Sequence, residues 1–151
     1  MISLKKIMVP TDFSVHSERA LRYGVELATK FGAELHLFHS IDPAPIMYGE
    51  GFGALPDDTA ALLNAATKHL AAVKIAGAED VLITRAVTEG RVSVEVVRYA
   101  KEHAIDLIVI GRHGRGFIAH LLLGSVTEKV LRSAPCPVLT VRAEEREFVL
   151  P

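Results

Sequence analysis

Residues 107–114 read LIVIGRHG, four consecutive apolar residues followed at once by a turn that contains two glycines. A short apolar run bounded by turn residues is typical of a strand that is buried on both faces. Gly124-Ser125 follows ten residues after Gly114, at the start of a stretch with helical spacing. The segment therefore predicts a buried strand, a glycine-spaced turn and a helix that begins at Ser125.

The same alternation of short apolar runs and helix-period stretches extends in both directions from this segment. Helices are predicted from a Ser14 cap to Gly32 and over residues 60–75, 92–103 and 125–132. Strands are predicted at residues 7–9, 35–40, 82–87, 107–110 and 138–141. This alternation predicts one α/β domain, residues 1–142, with a parallel sheet and helices on both faces. The charged residues 143–151 are predicted to form a frayed tail.

A crevice is predicted at the carboxyl edge of this sheet. In the common strand order 3-2-1-4-5 the first and fourth strands are neighbours, and the chain leaves them in opposite directions. Pro10-Thr11-Asp12 would line one side of the crevice and the segment from Gly111 to Gly114 the other. Glycine allows a close backbone approach, and a helix N-terminus such as that at Ser125 binds phosphate. The sequence thus predicts capture of a phosphate-bearing ligand.

The glycine spacing differs from two common phosphate-binding patterns. It lacks the Gly-Lys-Ser/Thr of the P-loop, and its order G-x-x-G-x-G is not that of the dinucleotide fingerprint. The glycines could instead serve only to shape turns. Asp12 also has two interpretations: it accepts a ribose hydroxyl or holds a metal-bound water, or it has a structural role, either as a cap of the first helix or in an Asx-turn.

The bulk composition limits the classes of partner. Seventeen basic residues stand against eighteen acidic ones with no basic tract, which argues against nucleic acid as the main partner. No apolar stretch is long enough to cross a bilayer, and the N-terminus lacks the apolar region of a signal peptide. The single cysteine, Cys136, cannot form an internal disulfide, as is typical of a reducing compartment. We therefore expect a cytoplasmic protein without membrane or nucleic-acid partners.

Several stretches of the chain resemble the universal stress protein family. They are KKIMVPTDFS (residues 5–14), LHLFHSID (35–42), DLIVIGRHGRG (106–116) and LLGSVTEKVLRSAPCPVLTV (122–141). The ATP-binding branch of that family carries the pattern G-x2-G-x9-G-(S/T), and Gly111, Gly114, Gly124 and Ser125 keep every spacing of it. The resemblance implies an open five-stranded parallel sheet in the order 3-2-1-4-5 with four helices, a Rossmann-like α/β fold. It also implies a homodimer paired through the last strand.

Transferred position by position, the resemblance implies an adenine-nucleotide site. Pro10, Thr11 and Asp12 would line the adenine and ribose side, and Ile110 and Gly111 would pack near the ribose. The contacts to phosphates or ribose would come from Arg112, Gly114, Gly124, Ser125 and Val126. ATP is the expected ligand, with ADP or AMP as alternatives, and Mg²⁺ or Mn²⁺ would arrive on its phosphates.

Two positions depart from the family pattern. Ser40 stands where the family usually has a valine, although its backbone would still reach the adenine edge. Arg112 is larger than the residue often found at its position, so it would either pair with a phosphate or crowd it.

The histidines and the cysteine do not form an obvious catalytic set. His36 and His39 lie three residues apart on one strand, so they point to opposite faces and are poor joint metal ligands. His113 either contacts a phosphate or is an exposed loop residue, and no carboxylate partner is close to it in sequence. Cys136 is interpreted as a buried spacer. We expect binding, with at most slow ATP hydrolysis.

Three functions remain open at this point. The first is a nucleotide-dependent regulator in the stress response, with an unknown protein partner. The second is a slow ATPase or phosphotransferase that uses the same crevice, and the third is a dimeric scaffold that binds no nucleotide.

The proline- and glycine-rich residues 41–57 are predicted to be either a surface excursion or a lid over the crevice.

Overall fold

The computed structural model describes residues 1–42, 59–113 and 123–142. Its five parallel strands are β1 (Lys6–Pro10), β2 (Glu34–Ile41), β3 (Ile83–Glu89), β4 (Leu107–Gly111) and β5 (Val138–Val141). The helices in these ranges are α1 (Val15–Phe31), α2 (Thr59–Ala72), α3 (Val92–Glu102) and α4 (Ser125–Ser133). The strand order β3-β2-β1-β4-β5 confirms the predicted open parallel sheet.

Helices cover both faces of the sheet, as predicted. Val9 and Leu37 belong to an apolar core beneath α1 and α2, which we call the α1-face core. Met8 and Phe38, their neighbours along the same strands, belong to a second core beneath α3 and α4, the α3-face core. All four side chains are fully buried, so neighbouring residues of each strand can both be apolar, as in the run Ile7–Val9 of β1.

Helix α1 begins and ends where its capping residues predict. The Ser14 hydroxyl accepts a hydrogen bond from Ser17 N–H at 3.4 Å, and Glu18 lies in the first turn. At the other end Gly32 adopts a left-handed conformation, with φ of 62°, and its N–H bonds back to the last turn. The predicted Ser14 cap and Gly32 stop are both confirmed.

The predicted end of α2 is wrong. The apolar pattern placed it at residue 75, before Gly77, but the helix ends at Ala72. Val73 N–H bonds to Leu70 O at 3.3 Å in a tighter turn, and the residues that follow leave helical geometry. Val73 and Ile75 then pack against the α1-face core, so their apolar character reflects tertiary packing rather than one more helical turn.

The predicted end of β3 also falls short. The strand starts at Ile83 and continues to Glu89, two residues beyond the predicted end. β2 pairs with it along its whole length, up to the register Ile41↔Glu89. The polar residues Thr88 and Glu89 carry no apolar signal, so this extension is set by pairing with β2. The remaining elements differ from prediction by no more than about two residues at each end, the usual uncertainty of such boundaries.

A buried polar cluster lies on the α3 face of the sheet, away from its carboxyl edge. His36 is 3% exposed, and its Nδ1 lies 2.9 Å from Tyr99 Oη while its Nε2 lies 3.2 Å from Glu34 Oε1. Burial lowers the pKa of His36, and the Thr84 hydroxyl, which donates to Glu34, lowers the pKa of that carboxyl. We refer to His36, Tyr99, Glu34 and Thr84 as the His36 cluster.

Parts of the predicted organisation fall outside the described residues. The predicted lid is described only at Ile41 and Asp42, and the predicted tail, residues 143–151, is not described. The lid, the tail and the domain boundary at residue 142 therefore stay predictions. Within residues 1–42, 59–113 and 123–142, no helix has the length and apolar character that a membrane span requires.

Candidate functional site

The turn between β1 and α1 is a compact network of short polar side chains. Thr11 N–H donates to Phe38 O at 2.8 Å, which continues the pairing of β1 with β2 past the strand end. Thr11 Oγ1 accepts from Phe13 N–H at 3.0 Å and lies 3.0 Å from Ser17 Oγ. Phe13 has φ of 64°, a left-handed conformation that costs a non-glycine residue about 1–2 kcal/mol. Such strain is concentrated at functional turns, so this turn is a candidate for ligand contact.

Asp12 has a structural role in the same turn. Its Oδ1 accepts from Ser14 N–H at 3.0 Å, two residues further on, and from the Ser17 hydroxyl at 3.1 Å. The first contact is an Asx-turn, which is the second of the two interpretations of Asp12. A contact between this carboxylate and a ribose stays a prediction.

The end of β4 lies directly against the first turn of α1. A Cβ atom placed on Gly111 would sit 2.9 Å from both the carbonyl carbon and the carbonyl oxygen of His16. Those are backbone atoms, which cannot rotate aside, so only glycine allows this approach. The contact brings the α1 end of the β1 turn next to the glycine segment, as the predicted crevice requires.

Hydrogen bonds attach the segment after β4 to its surroundings at both ends. Arg112 N–H donates to Val141 O at 2.8 Å, at the end of β5, and Gly124 N–H donates to Arg112 O at 2.8 Å. Thr127 is 3% exposed, and its hydroxyl donates to Gly111 O at 2.8 Å. The first turn of α4 is therefore fixed against the end of β4 by two contacts.

This arrangement leaves the N-terminus of α4 at the carboxyl edge of the sheet with a glycine as its N-cap. Gly124 has no side chain to accept from the first N–H groups, and the first intrahelical bond runs from Glu128 N–H to Gly124 O at 3.0 Å. The N–H groups of Ser125, Val126 and Thr127 precede that bond. Helix N-termini carry a partial positive charge and favour anions, so this end of α4 is suited to a phosphate.

The other predicted residues occupy different surroundings. Pro10 and Ile110 are buried, and Ile110 packs in the α3-face core, so these two residues offer backbone rather than side-chain atoms at the edge. Ser40 is 6% exposed on β2, beyond β1 from the glycine segment, and its hydroxyl donates to Gly90 O at 3.0 Å. Gly114 lies outside the described residues.

Two histidines from different elements meet beside the glycine segment. The rings of His16, on α1, and His113, after β4, are 5.9 Å apart in an edge-on arrangement. The pKa of His113 is lowered, first by burial and then by the charges of Arg112 and His16. The sequence indicated His113 as a candidate phosphate contact, but it did not indicate that His16 or Thr127 lies at the site. Ser14 capping places His16 in the first turn of α1, and Thr127 is a polar residue three before buried Val130, yet neither signal points to the glycine segment.

The remaining titratable groups support the sequence analysis. His39 Nδ1 lies 2.7 Å from Thr11 O and so belongs to the β1–α1 turn, while His36 lies inside the α3 face. The side chains of His36 and His39 thus point to opposite faces of the sheet, as predicted. Cys136 packs against the α3-face core, and burial raises the pKa of its thiol, which agrees with a spacer role. In the three described ranges, no group of three or more histidine, cysteine or carboxylate side chains is arranged to hold a metal ion.

Comparisons with known proteins agree with this architecture. Residues 3–142 match the universal stress protein family. The universal stress protein MJ0531 of Methanocaldococcus jannaschii is 33% identical over 144 residues, which cover 95% of this chain and 85% of that protein. The solved structure of MJ0577, a universal stress protein of the same organism, has a TM-score of 0.81 at 30% identity and covers 96% of this chain and 100% of its own.

A further solved structure carries a ligand. It is a universal stress protein in complex with cAMP, with a TM-score of 0.65 at 26% identity, and the match covers 95% of this chain and 100% of that chain. The parallel sheet, the glycine-capped helix at its carboxyl edge and the match over residues 3–142 lead to one conclusion. The chain belongs to the universal stress protein family.

Proposed function

We propose that this chain is a cytoplasmic ATP-binding protein that acts as a nucleotide-dependent regulator in the stress response. The observation that carries the proposal is the position of the α4 N-terminus. Its glycine cap offers backbone N–H groups without a side-chain acceptor, and the contacts from Thr127 and Gly124 hold it at the end of β4. Such a helix end binds phosphate by charge and by hydrogen bonding together.

The nucleotide would extend across the crevice from the β1–α1 turn to α4. The adenine and ribose would lie toward Pro10, Thr11 and Asp12, with Ser40 at the far side, and the phosphates toward Gly124 and Ser125. Arg112 and the predicted Gly114 turn offer a second phosphate contact, which favours a triphosphate over a monophosphate. The related structure that holds cAMP supports an adenine nucleotide as the ligand class. ADP and AMP are the alternatives, and Mg²⁺ or Mn²⁺ would be held mainly by the phosphates.

Binding is favoured over rapid catalysis by the surroundings of Asp12. Its Oδ1 already accepts from Ser14 and Ser17, so this carboxylate is engaged in holding the turn. A general base must instead reach the proton that it abstracts. Slow ATP hydrolysis or phosphotransfer in the same crevice is the second candidate. Timed ADP production by purified protein, with and without Mg²⁺, separates the two, because a regulator would turn over very slowly.

A homodimer through β5 is the proposed assembly. β5 is an edge strand of only four residues, and Leu139 on it is 38% exposed. Exposed edge strands pair readily with a second copy of the same strand. Light scattering of the wild type should give twice the chain mass, and Leu139→Lys should shift the protein toward the monomer.

The sharpest test of the phosphate site is a variant that fills the α4 cap with its own anion. Gly124 has φ of −67° and ψ of 154°, which any residue adopts. An aspartate there should accept the N–H groups that would bind phosphate, and as an N-cap it is roughly a few tenths of a kcal/mol more stabilising than glycine. Gly124→Asp should therefore fold at least as stably as the wild type and bind ATP at least about tenfold more weakly, because charged hydrogen bonds of about 1.5–3 kcal/mol are lost.

Gly124→Ala is the matched control, because alanine adds a Cβ without an acceptor or a charge. Calorimetric titration with ATP should show binding by wild type and by Gly124→Ala, and strong weakening only in Gly124→Asp. Equal ATP binding by all three proteins would show that the phosphates do not bind at the N-terminus of α4. Wild type that stays empty at millimolar ATP, and releases no nucleotide on denaturation for mass spectrometry, would favour the scaffold.

A further inference from the structure

A group of three basic side chains lies next to the proposed phosphate position. His16 comes from the first turn of α1, whereas Arg112 and His113 follow β4. The two imidazole rings are 5.9 Å apart, and the backbone of His16 lies against Gly111. The contact is thus built from two separate elements and depends on the close approach at Gly111.

The position of this group relative to α4 is set by the backbone. Arg112 O accepts from Gly124 N–H at 2.8 Å, so His113 leaves the sheet within one residue of the α4 cap. Arg112 is held at its other side by the bond from its N–H to Val141 O. The paired rings of His16 and His113 therefore lie beside Arg112 and the cap of α4, at the end of the crevice where the phosphates would lie.

We propose that His16 and His113, together with Arg112, form a protonation-dependent clamp on the nucleotide phosphates, so that acidification strengthens nucleotide binding. The inference rests on the proposed function, since it describes regulation of that same site. It adds His16 to the site and makes the affinity for phosphates, but not for the nucleoside, depend on pH.

The direction of the effect follows from the charges around the rings. In the described part of the chain, the charged groups that act on His113 are Arg112, from its own segment, and His16, from α1. Both oppose its protonation and, with burial, keep the pKa of His113 below the ordinary value of 6.5. A bound phosphate favours the charged ring, so binding takes up a proton. Affinity should rise as pH falls below 8, and the gain approaches about tenfold only below the pKa of unbound His113, if the phosphate shifts the protonation equilibrium tenfold.

The experiment compares ATP and adenosine binding by calorimetry between pH 5.5 and pH 8.5. Wild type should bind ATP at least roughly threefold more tightly at pH 6 than at pH 8, more tightly again at pH 5.5, and show no such change with adenosine. His113→Gln and His16→Gln should each flatten the ATP profile. His103→Gln is the control, because His103, whose backbone O accepts from Lys6 Nζ, lies at the opposite edge of the sheet, so the variant should keep the wild-type profile. The ionisation of the phosphate itself is common to all the proteins and cancels in the comparison.

Histidine ring titration by NMR gives a second measurement that needs no variant. The pKa of His113 should rise when ATP is added, because a bound phosphate favours its charged ring. Wild-type pH profiles in both glutamine variants, with unchanged ring titrations, would overturn the clamp and leave the nucleotide site standing. Failure of wild type to bind ATP at any pH would overturn both.

Discussion

The contact between Gly111 and α1 predicts a measurable loss of stability in Gly111→Ala. The added Cβ would lie 2.9 Å from the carbonyl carbon and oxygen of His16, whereas ordinary carbon contacts lie at about 3.5–4.0 Å. Relief requires α1 to move away from β4 by a large part of an ångström, and overpacking of this kind costs about 1–3 kcal/mol. The reduced entropy of the unfolded chain returns about 0.4–1 kcal/mol. The expected net loss is about 1–2 kcal/mol in the free energy of unfolding.

Urea denaturation followed by circular dichroism measures this loss directly. For a domain of this size the same change lowers Tm by about 2–8 °C, at roughly 2–4 °C per kcal/mol. Gly32→Ala is the comparison variant: its Cβ meets nothing within 4 Å, but its φ of 62° costs about 1 kcal/mol at the far end of α1. Both variants should lose stability, but only Gly111→Ala should also weaken ATP binding, because it displaces the first turn of α1. A Gly111→Ala protein within about 0.5 kcal/mol of wild type would refute the described packing of α1 on β4.

Three further predictions concern single side chains. Thr127→Val should lose about 1–3 kcal/mol, because Gly111 O is left without its buried donor, whereas Thr127→Ser should keep most of the stability; urea titration distinguishes them. Ser14→Ala should cost about 1 kcal/mol through the lost α1 cap, and an unchanged midpoint would contradict the capping role. His36 has a lowered pKa, so the unfolded chain binds its proton more readily, and stability should be complete above pH 6.5 and decline below it. In His36→Gln the decline between pH 7 and pH 5 should be shallower than in wild type, as unfolding curves across that range would show.

The fold was predictable where local and tertiary signals agree. The run 107–110 is apolar because β4 is covered on both faces, and Ser14 and Gly32 mark α1 through backbone requirements that act within a few residues. The two boundary errors arise where tertiary contacts decide. Val73 is apolar because it packs on the core after α2 has ended, and Glu89 is in a strand because β2 pairs with it.

The sequence predicted those features of the site that depend on residues close together in the chain, but not the contacts between distant segments. The spacing from Gly111 to Ser125 indicated a glycine turn and a helix start, and the structure places Gly124 as the N-cap of α4. The proximity of His16 to Gly111 involves residues 95 positions apart in the numbering, and no local pattern encodes such a contact. The role of Asp12 could not be decided from sequence either, since an Asx-turn and a ribose contact require the same residue at the same strand end.

The hydrogen bond from Gly124 N–H to Arg112 O brings together the two ends of the intervening segment, residues 113–123. Its two ends meet at 2.8 Å, and the sheet and α4 are anchored outside it by Val141 and Thr127. Because these contacts lie outside residues 113–123, we expect replacement of those residues by the equivalent residues of a relative to leave the sheet and α4 in place, and ligand preference to change with the replaced residues.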